Sequence, residues 1–297
     1  MTGTAARVAD AAARIGVALV PGTARADCSG WDFSVVHVAG EDGTDWILRY
    51  PRRPEAAALA RVEARVLARV RDHLDVAVPR WVVHDPDLIA YRRLPGVPAG
   101  TEDPVLLRYR WRIDPVAARR EYLAPLCGLL ATVHEITDVA GLTTCGIDRV
   151  RERLSADLDR AETALPVRAE AVRRWRRWLG RDRGWPPHPV LVHGDVHPGH
   201  TLVRSSDAKL IGMLDWADAE IGDPSADFAD MCFAGGAAVL DAMLAHYRAR
   251  GGSVWPGMRE HVLARCSFLW VKVGLRGLDT GRDDLVATAS RRLRAPA

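Results

Sequence analysis

Paired cysteines, lysine and long apolar runs are all scarce in this chain of 297 residues, and each scarcity removes a class of protein. The five cysteines, Cys28, Cys127, Cys145, Cys232 and Cys266, are scattered, odd in number and never in a C-x-x-C pair. A disulfide framework or a structural zinc site needs closer, paired spacing, so a reduced, cytoplasmic setting is expected. No uninterrupted run of about 18 apolar residues stands out, and a transmembrane span needs one, so no membrane partner is expected. Arg7, Asp10 and Arg14 interrupt the apolar N-terminus, unlike the unbroken core of a signal peptide. Only Lys209 and Lys272 are lysines, a bias attributed to genomic base composition. The formal charge is only +3. The densest basic stretch (Arg173, Arg174, Arg176, Arg177, Arg181, Arg183) is interleaved with Trp175 and Trp178, a spacing that gives a helix one solvated and one packed face. Without a docking motif or a strong basic excess, no nucleic-acid partner is expected.

What is present is an ordinary globular composition, 48% apolar and 27% charged, long enough for two lobes. Residues 4–19 read as an amphipathic helix with Val8, Ala12, Ile15 and Leu19 on one stripe, stopped by Pro21 and Gly22. Strand patterns follow at 31–38 and 45–50 around a Gly40-Glu41-Asp42-Gly43 turn. Pro54 opens a helix with Leu59, Val62, Val66 and Val70 on its apolar face, and strands recur at 81–84 and 88–91. Two prolines and two glycines in 94–100 read as a linker outside regular structure. Beyond it, helices are expected over 115–136, 150–164 and 168–179, short strands at 190–192, 201–203 and 210–214, and helix from 227 onward. The expected class is α+β: a small antiparallel lobe with one crossing helix (1–94), a linker (95–100) and a larger, mostly helical lobe (101–297). Nothing in the sequence suggests an obligate partner, so a monomer is expected.

The chemistry concentrates in Val192-His193-Gly194-Asp195-Val196-His197-Pro198-Gly199-His200, a polar loop between two short apolar strands. Asp215 follows fifteen residues later, at the end of the next strand, with Asp223 and Asp227 beyond it. A carboxylate on a loop, a ligand five positions on and a second carboxylate at a strand end suit phosphoryl transfer to a hydroxyl. The first takes the acceptor's proton, and the others hold Mg²⁺ against the donor phosphates.

His193-Gly194-Asp195, His200, Leu214-Asp215-Trp216 and Gly222-Asp223-Pro224 resemble the aminoglycoside phosphotransferase superfamily, whose members share the two-lobed protein-kinase-like fold. The Gly199-His200 loop ending, together with Ser29-Gly30-Trp31-Asp32-Phe33, Asp45-Trp46-Ile47-Leu48-Arg49 and Tyr91-Arg92-Arg93-Leu94-Pro95-Gly96, is similar to macrolide 2'-phosphotransferases in particular. The resemblance implies Asp195 as base and Asp215 as main Mg²⁺ ligand. It leaves His200, where most of the superfamily has Asn, as either a metal ligand or a phosphate or supporting contact. It further implies that Ser29 and Gly30 approach the nucleotide phosphates and that Arg49 meets them, paired with Glu63. A hinge from Ile89 to Pro95, with Ile89 and Tyr91 in it, would read the purine of GTP, or of ATP. Trp216, Asp218, Glu220 and Trp270 are the acceptor-side candidates: a macrolide needs apolar walls around its ring and negative potential near its amino sugar. Antibiotic resistance is the implied role, with an aminoglycoside or another small alcohol as the alternative acceptor.

Two rivals come from other classes. His193, Asp195, His197 and His200 can be read as a hydrolytic zinc site, which leaves Asp215, Glu63 and Arg49 without a role. A nucleotide-binding scaffold without catalysis is suggested by His200 and Arg49 standing where Asn and Lys are usual.

Overall fold

The computed structural model describes residues 2–27, 32–103, 108–138, 141–142 and 144–295. Five antiparallel strands form the first lobe: β1 (Arg25–Asp27), β2 (Phe33–Ala39), β3 (Asp45–Pro51), β4 (Trp81–His84) and β5 (Ile89–Arg92), in the order β1-β2-β3-β5-β4. Alternation along each strand divides its residues between two cores. Val36, Val38, Trp46 and Leu48 pack under Val8 and Ala11 of helix α1 (Thr2–Ile15). Phe33, Ile47, Ile89 and Tyr91 face Ala56 and Ala60 of helix α2 (Pro54–Val70).

The buried face of α2 is rotated from the expected stripe. Ala56, Ala60, Glu63, Val66, Leu67 and Val70 are buried, whereas Leu59 and Val62 are only half-buried. Small alanines allow close approach to the sheet, and Glu63 has a cationic partner there. The last turns of α2 leave the first lobe's core: Val66, Leu67 and Val70 join the core of the second lobe.

The connection is more regular than its prolines and glycines suggest. Val97–Pro98 forms a short strand, β6, beside β10 (Thr201–Val203), and β7 (Gly100–Asp103) pairs with β8 (Arg108–Trp111). β6 lies at the edge of its sheet, β11-β10-β6, where the missing N–H of Pro98 leaves no ladder bond unmade.

In the second lobe a π turn at Arg119–Leu123 leads into α3 (Ala124–Glu135), where one continuous helix was expected. α4 (Ile147–Ala164) and α5 (Ala169–Leu179) follow. α5 buries Trp175 and Trp178 and exposes Arg173 and Arg177. Next come β9 (Val190–Val192), β10, β11 (Leu210–Met213) and β12 (Glu220–Gly222), then α6 (Ala226–Ala249), α7 (Met258–Thr280) and α8 (Asp283–Arg294). By length and composition α6 is apolar enough to cross a membrane, although Asp227 and Asp230 interrupt its apolar residues. It is kinked at Gly236 and places Phe228, Met231, Leu240 and Met243 in the core.

Candidate active site

β9 and β10 bracket the loop 193–200 and hold it from both ends. His193 is fully buried. Its Nδ1 accepts the Asp195 N–H at 3.2 Å, so Nε2 carries the proton donated to the Leu214 carbonyl at 2.9 Å. Burial lowers its pKa and keeps it neutral. Gly194 takes φ +86°, and a Cβ there would lie 2.4 Å from the Asp218 carbonyl oxygen. Only glycine fits. Beneath the loop, the buried Asp227 carboxylate accepts the N–H of Gly194 at 2.7 Å and of His193 at 3.0 Å. It also receives Nε2–H of His134 at 3.0 Å, whose Nδ1 meets the Tyr247 hydroxyl at 2.7 Å. Asp223 is likewise structural, accepting from His261 at 2.8 Å and Arg265 at 2.9 Å and so tying the start of α6 to α7.

With its backbone fixed, the loop presents Asp195 beside two imidazoles. His200 Nδ1 donates to the Asp195 carbonyl at 3.1 Å and lies 3.3 Å from Oδ2 of its carboxylate. That leaves His200 Nε2 facing Asp215 Oδ2 at 3.7 Å. Asp215, just past β11, adopts a left-handed conformation with φ 58°. His197 Nδ1 accepts the Gly199 N–H at 3.0 Å, and its Nε2 lies 3.8 Å from Asp195. Burial opposes charge on Asp195, but His197, His200 and His193 outweigh it and hold the carboxyl at about 2. Burial also favours a neutral His200, yet the carboxylates of Asp195 and Asp215 raise its pKa. His197 is held down at about 3, by burial first and His200 second.

This donor set fits a divalent cation. Ligand atoms of Asp195, His197 and His200 all lie within 4.8 Å of one another, and Asp215 adds a carboxylate next to His200. The bond from His200 Nδ1 to a carbonyl leaves Nε2 free to bind, as a ligating imidazole requires. The chain contains no asparagine at all, so no amide of that type can take the role. The zinc reading loses one ligand, because both nitrogens of His193 already hold backbone groups.

From the first lobe, the buried Arg49 on β3 donates to both carboxylate oxygens of Glu63, at 2.9 and 3.0 Å. Its other terminal nitrogen lies 3.9 Å from Asp215 Oδ1. The guanidinium stacks 4.2 Å over the Phe33 ring. Burial raises the Glu63 pKa, against the pull of Arg49. Ile89 and Tyr91 correct the expected hinge. Both lie in β5, paired with β3 on one side and β4 on the other, so their backbones are occupied by the ladder. The rest of the expected hinge, after Arg92, lies beyond β5. Ser29 and Gly30 lie outside the described residues.

On the acceptor side, Asp218 stays exposed beside the 193–200 loop, its backbone carbonyl facing Gly194. Partial desolvation, then the like charges of Asp195 and Asp215, raise its pKa. Glu220 is a correction: Arg153 grips its two oxygens at 2.6 and 2.9 Å. Trp216 is another, fully buried with its ring 4.5 Å from His193, so it walls no open pocket. Trp270 packs on Phe233 and lines a cavity of about 320 Å³ among α5, α6, α7 and α8 that shares no lining residue with the Asp195 cluster.

Other groups went unnoticed in the sequence. Tyr109 of β8 lies with its ring 5.0 Å from His197, and its cross-strand partner Glu102 has a pKa raised by burial and by Asp195. Asp230, one turn past Asp227 on α6, is pushed up to about 7 by burial, with Asp195 and Asp218 adding to it. Lys272 of α7 acts electrostatically on Asp195, Asp218 and Asp230. Only Asp230 had a readable signal, since it follows Asp227 at helical spacing.

Residues 23–261 match the family described as "Phosphotransferase enzyme family". A Bacillus subtilis (strain 168) protein, "Uncharacterized protein YcbJ", is 32% identical over 88% of this chain and 86% of its own length. Macrolide 2'-phosphotransferase MphH from Brachybacterium faecium is similar at a TM-score of 0.84 and 34% identity, covering 100% of this chain and 99% of that one. Macrolide 2'-phosphotransferase type I reaches 0.89 and 32%, with the same coverage. At 20% identity and 0.73, the GDP complex of wild-type aminoglycoside 2'-phosphotransferase-IIIa shares the fold over 91% of this chain and 90% of that one. From the match over residues 23–261, the chain belongs to the phosphotransferase enzyme family and carries its two-lobed, kinase-like fold.

Proposed function

We propose that this phosphotransferase moves the γ-phosphoryl group of GTP, or of ATP, to the 2'-hydroxyl of the amino sugar of a macrolide, so conferring resistance. One observation carries the reading: Asp195, His200 and Asp215 from the second lobe meet the Arg49–Glu63 pair from the first in a single cleft. The full-length likeness to two macrolide 2'-phosphotransferases supports the choice of acceptor.

Asp195, held well below the usual carboxylate range, is ionised and accepts the proton of the acceptor hydroxyl. The hydroxyl oxygen forms the new bond to phosphorus as the bond to the bridging oxygen of the nucleoside diphosphate breaks. Arg49, fixed by Glu63 and Phe33, offers its remaining N–H groups to phosphate oxygens. Asp215 and His200 would hold Mg²⁺, which neutralises phosphate charge when bound. Glu102, Asp218 and Asp230 surround Asp195 with negative potential suited to an ammonium beside the reacting hydroxyl. The proposal places the enzyme in a reduced cytoplasm as a monomer, in keeping with free thiols at Cys127, Cys145, Cys232 and Cys266.

Incubation with erythromycin, Mg²⁺ and GTP or ATP tests this by mass spectrometry. The expected product carries one added phosphate on the amino-sugar fragment. Phosphorylation of kanamycin and not of erythromycin would move the acceptor to the aminoglycosides, and no phosphorylated product would contradict the reading.

A further inference from the structure

Asp32 stands immediately before β2 and joins three parts of the molecule. Arg53, the residue capping the start of α2, donates to one of its carboxylate oxygens. Arg276 of α7, in the other lobe, donates to both oxygens at 2.9 and 3.0 Å. The Asp32 and Arg276 side chains are only 22% and 32% exposed, so solvent screens the bond less than at an open surface.

The position of this bond within the lobes gives it leverage. The C-terminal turns of α2 are embedded in the second lobe's core through Val66, Leu67 and Val70, which makes that end a pivot. The N-terminal end lies about 20 Å along the helix, and the Arg276–Asp32 pair restrains it from across the cleft. Between them α2 carries Glu63, which sets how Arg49 faces Asp215. One turn before Arg276, on the same face of α7, Lys272 acts on Asp195, Asp218 and Asp230.

We propose that Arg276 is a positioning residue: through Asp32 it holds the nucleotide-binding lobe closed against α7, so that nucleotide retention and acceptor binding favour one another. This rests on the phosphotransferase reading above. It requires no contact between Arg276 and either substrate, because linkage acts through the shared closed state.

Calorimetric binding of the non-hydrolysable analogue GMPPNP with Mg²⁺, with and without erythromycin, tests it on full-length wild type, Arg276→Gln, Arg276→Lys and Asp32→Asn. Wild type should bind the analogue more tightly when erythromycin is present. Arg276→Gln and Asp32→Asn should each weaken analogue binding about three- to tenfold and lose that mutual tightening. Arg276→Lys should recover part of both, and melting temperatures should move by less than about 4 °C. Wild type that binds no analogue would remove the phosphotransferase reading and the latch with it. Wild type that binds while both Gln and Asn variants match it in affinity and coupling would overturn the latch alone.

Discussion

On the proposed reading, His200 would set which metal the site prefers. Its Nε2 and the Asp215 carboxylate are 3.7 Å apart, a nitrogen and an oxygen donor where Mg²⁺ favours oxygen alone. Mn²⁺ should therefore support transfer at least as well as Mg²⁺ in the wild type, and His200→Asn should shift the preference toward Mg²⁺. Initial rates with each metal measure this. Asp218 and Asp230 make a second prediction. Folded, both titrate above the usual 3.8, Asp230 near 7, so Asp230 is neutral below that pH and becomes an anion above it. KM for a cationic acceptor should therefore fall as pH rises through 7. The stability sign is opposite: the folded state binds the extra protons, so the stability they contribute is present at low pH and lost as pH rises through 7. Asp230→Asn should accordingly melt higher than wild type above pH 7, while raising KM. Asp195, His200 and Asp215 were legible because they lie in short motifs with fixed spacing. Glu102, Asp230 and Lys272 were not, since a lone charge on a hairpin or helix says nothing of the cleft it faces. Glu220 and Trp216 were misjudged from proximity in sequence, which carries no direction: one turns to Arg153 and the other into the core.

The loop 193–200 owes its shape to a helix that begins well after it. Asp227, in the first turn of α6, takes two backbone N–H groups of the loop and the His134 imidazole on its two oxygens. Asp227→Asn keeps one acceptor oxygen and must release one of these donors. The variant should fold, bind nucleotide with nearly unchanged KM and lose about ten- to a hundredfold in kcat through misplacement of Asp195. Steady-state kinetics separate the two constants. Most elements were legible from apolar periodicity and from Pro54, Pro21 and the glycines that stop or start them. The β7–β8 hairpin was not. β7 is Gly100-Thr101-Glu102-Asp103 and β8 alternates arginine with Tyr109 and Trp111, with no aliphatic pattern in either, because one face covers the 193–200 loop: Gly100 lies so close to Pro198 that a Cβ there would sit 2.9 Å from the Pro198 Cβ. The π turn before α3 also escaped, since Tyr122 and Leu123 keep the same apolar spacing in either helix form.

Across the molecule, the C-terminal turns of α2 join the second lobe's core while its first turns pack on the first lobe's sheet. That arrangement explains the buried Arg49–Glu63 pair, an otherwise costly feature inside a small lobe: it carries a fixed cation to the point where the second lobe presents Asp215. The two-lobed fold was readable from the change from strand-rich to helical patterns along the chain. The interlobe bond from Arg276 to Asp32 was not, because its partners stand 244 positions apart. The central claim is that Asp195 takes a proton from an acceptor hydroxyl beside a bound nucleotide, and one variant isolates it. Asp195→Ala is to be compared with wild type for GMPPNP affinity by calorimetry and for phosphate transfer to erythromycin by initial rate. The account predicts affinity within about twofold and transfer reduced by at least about a hundredfold; turnover near the wild-type rate would contradict it.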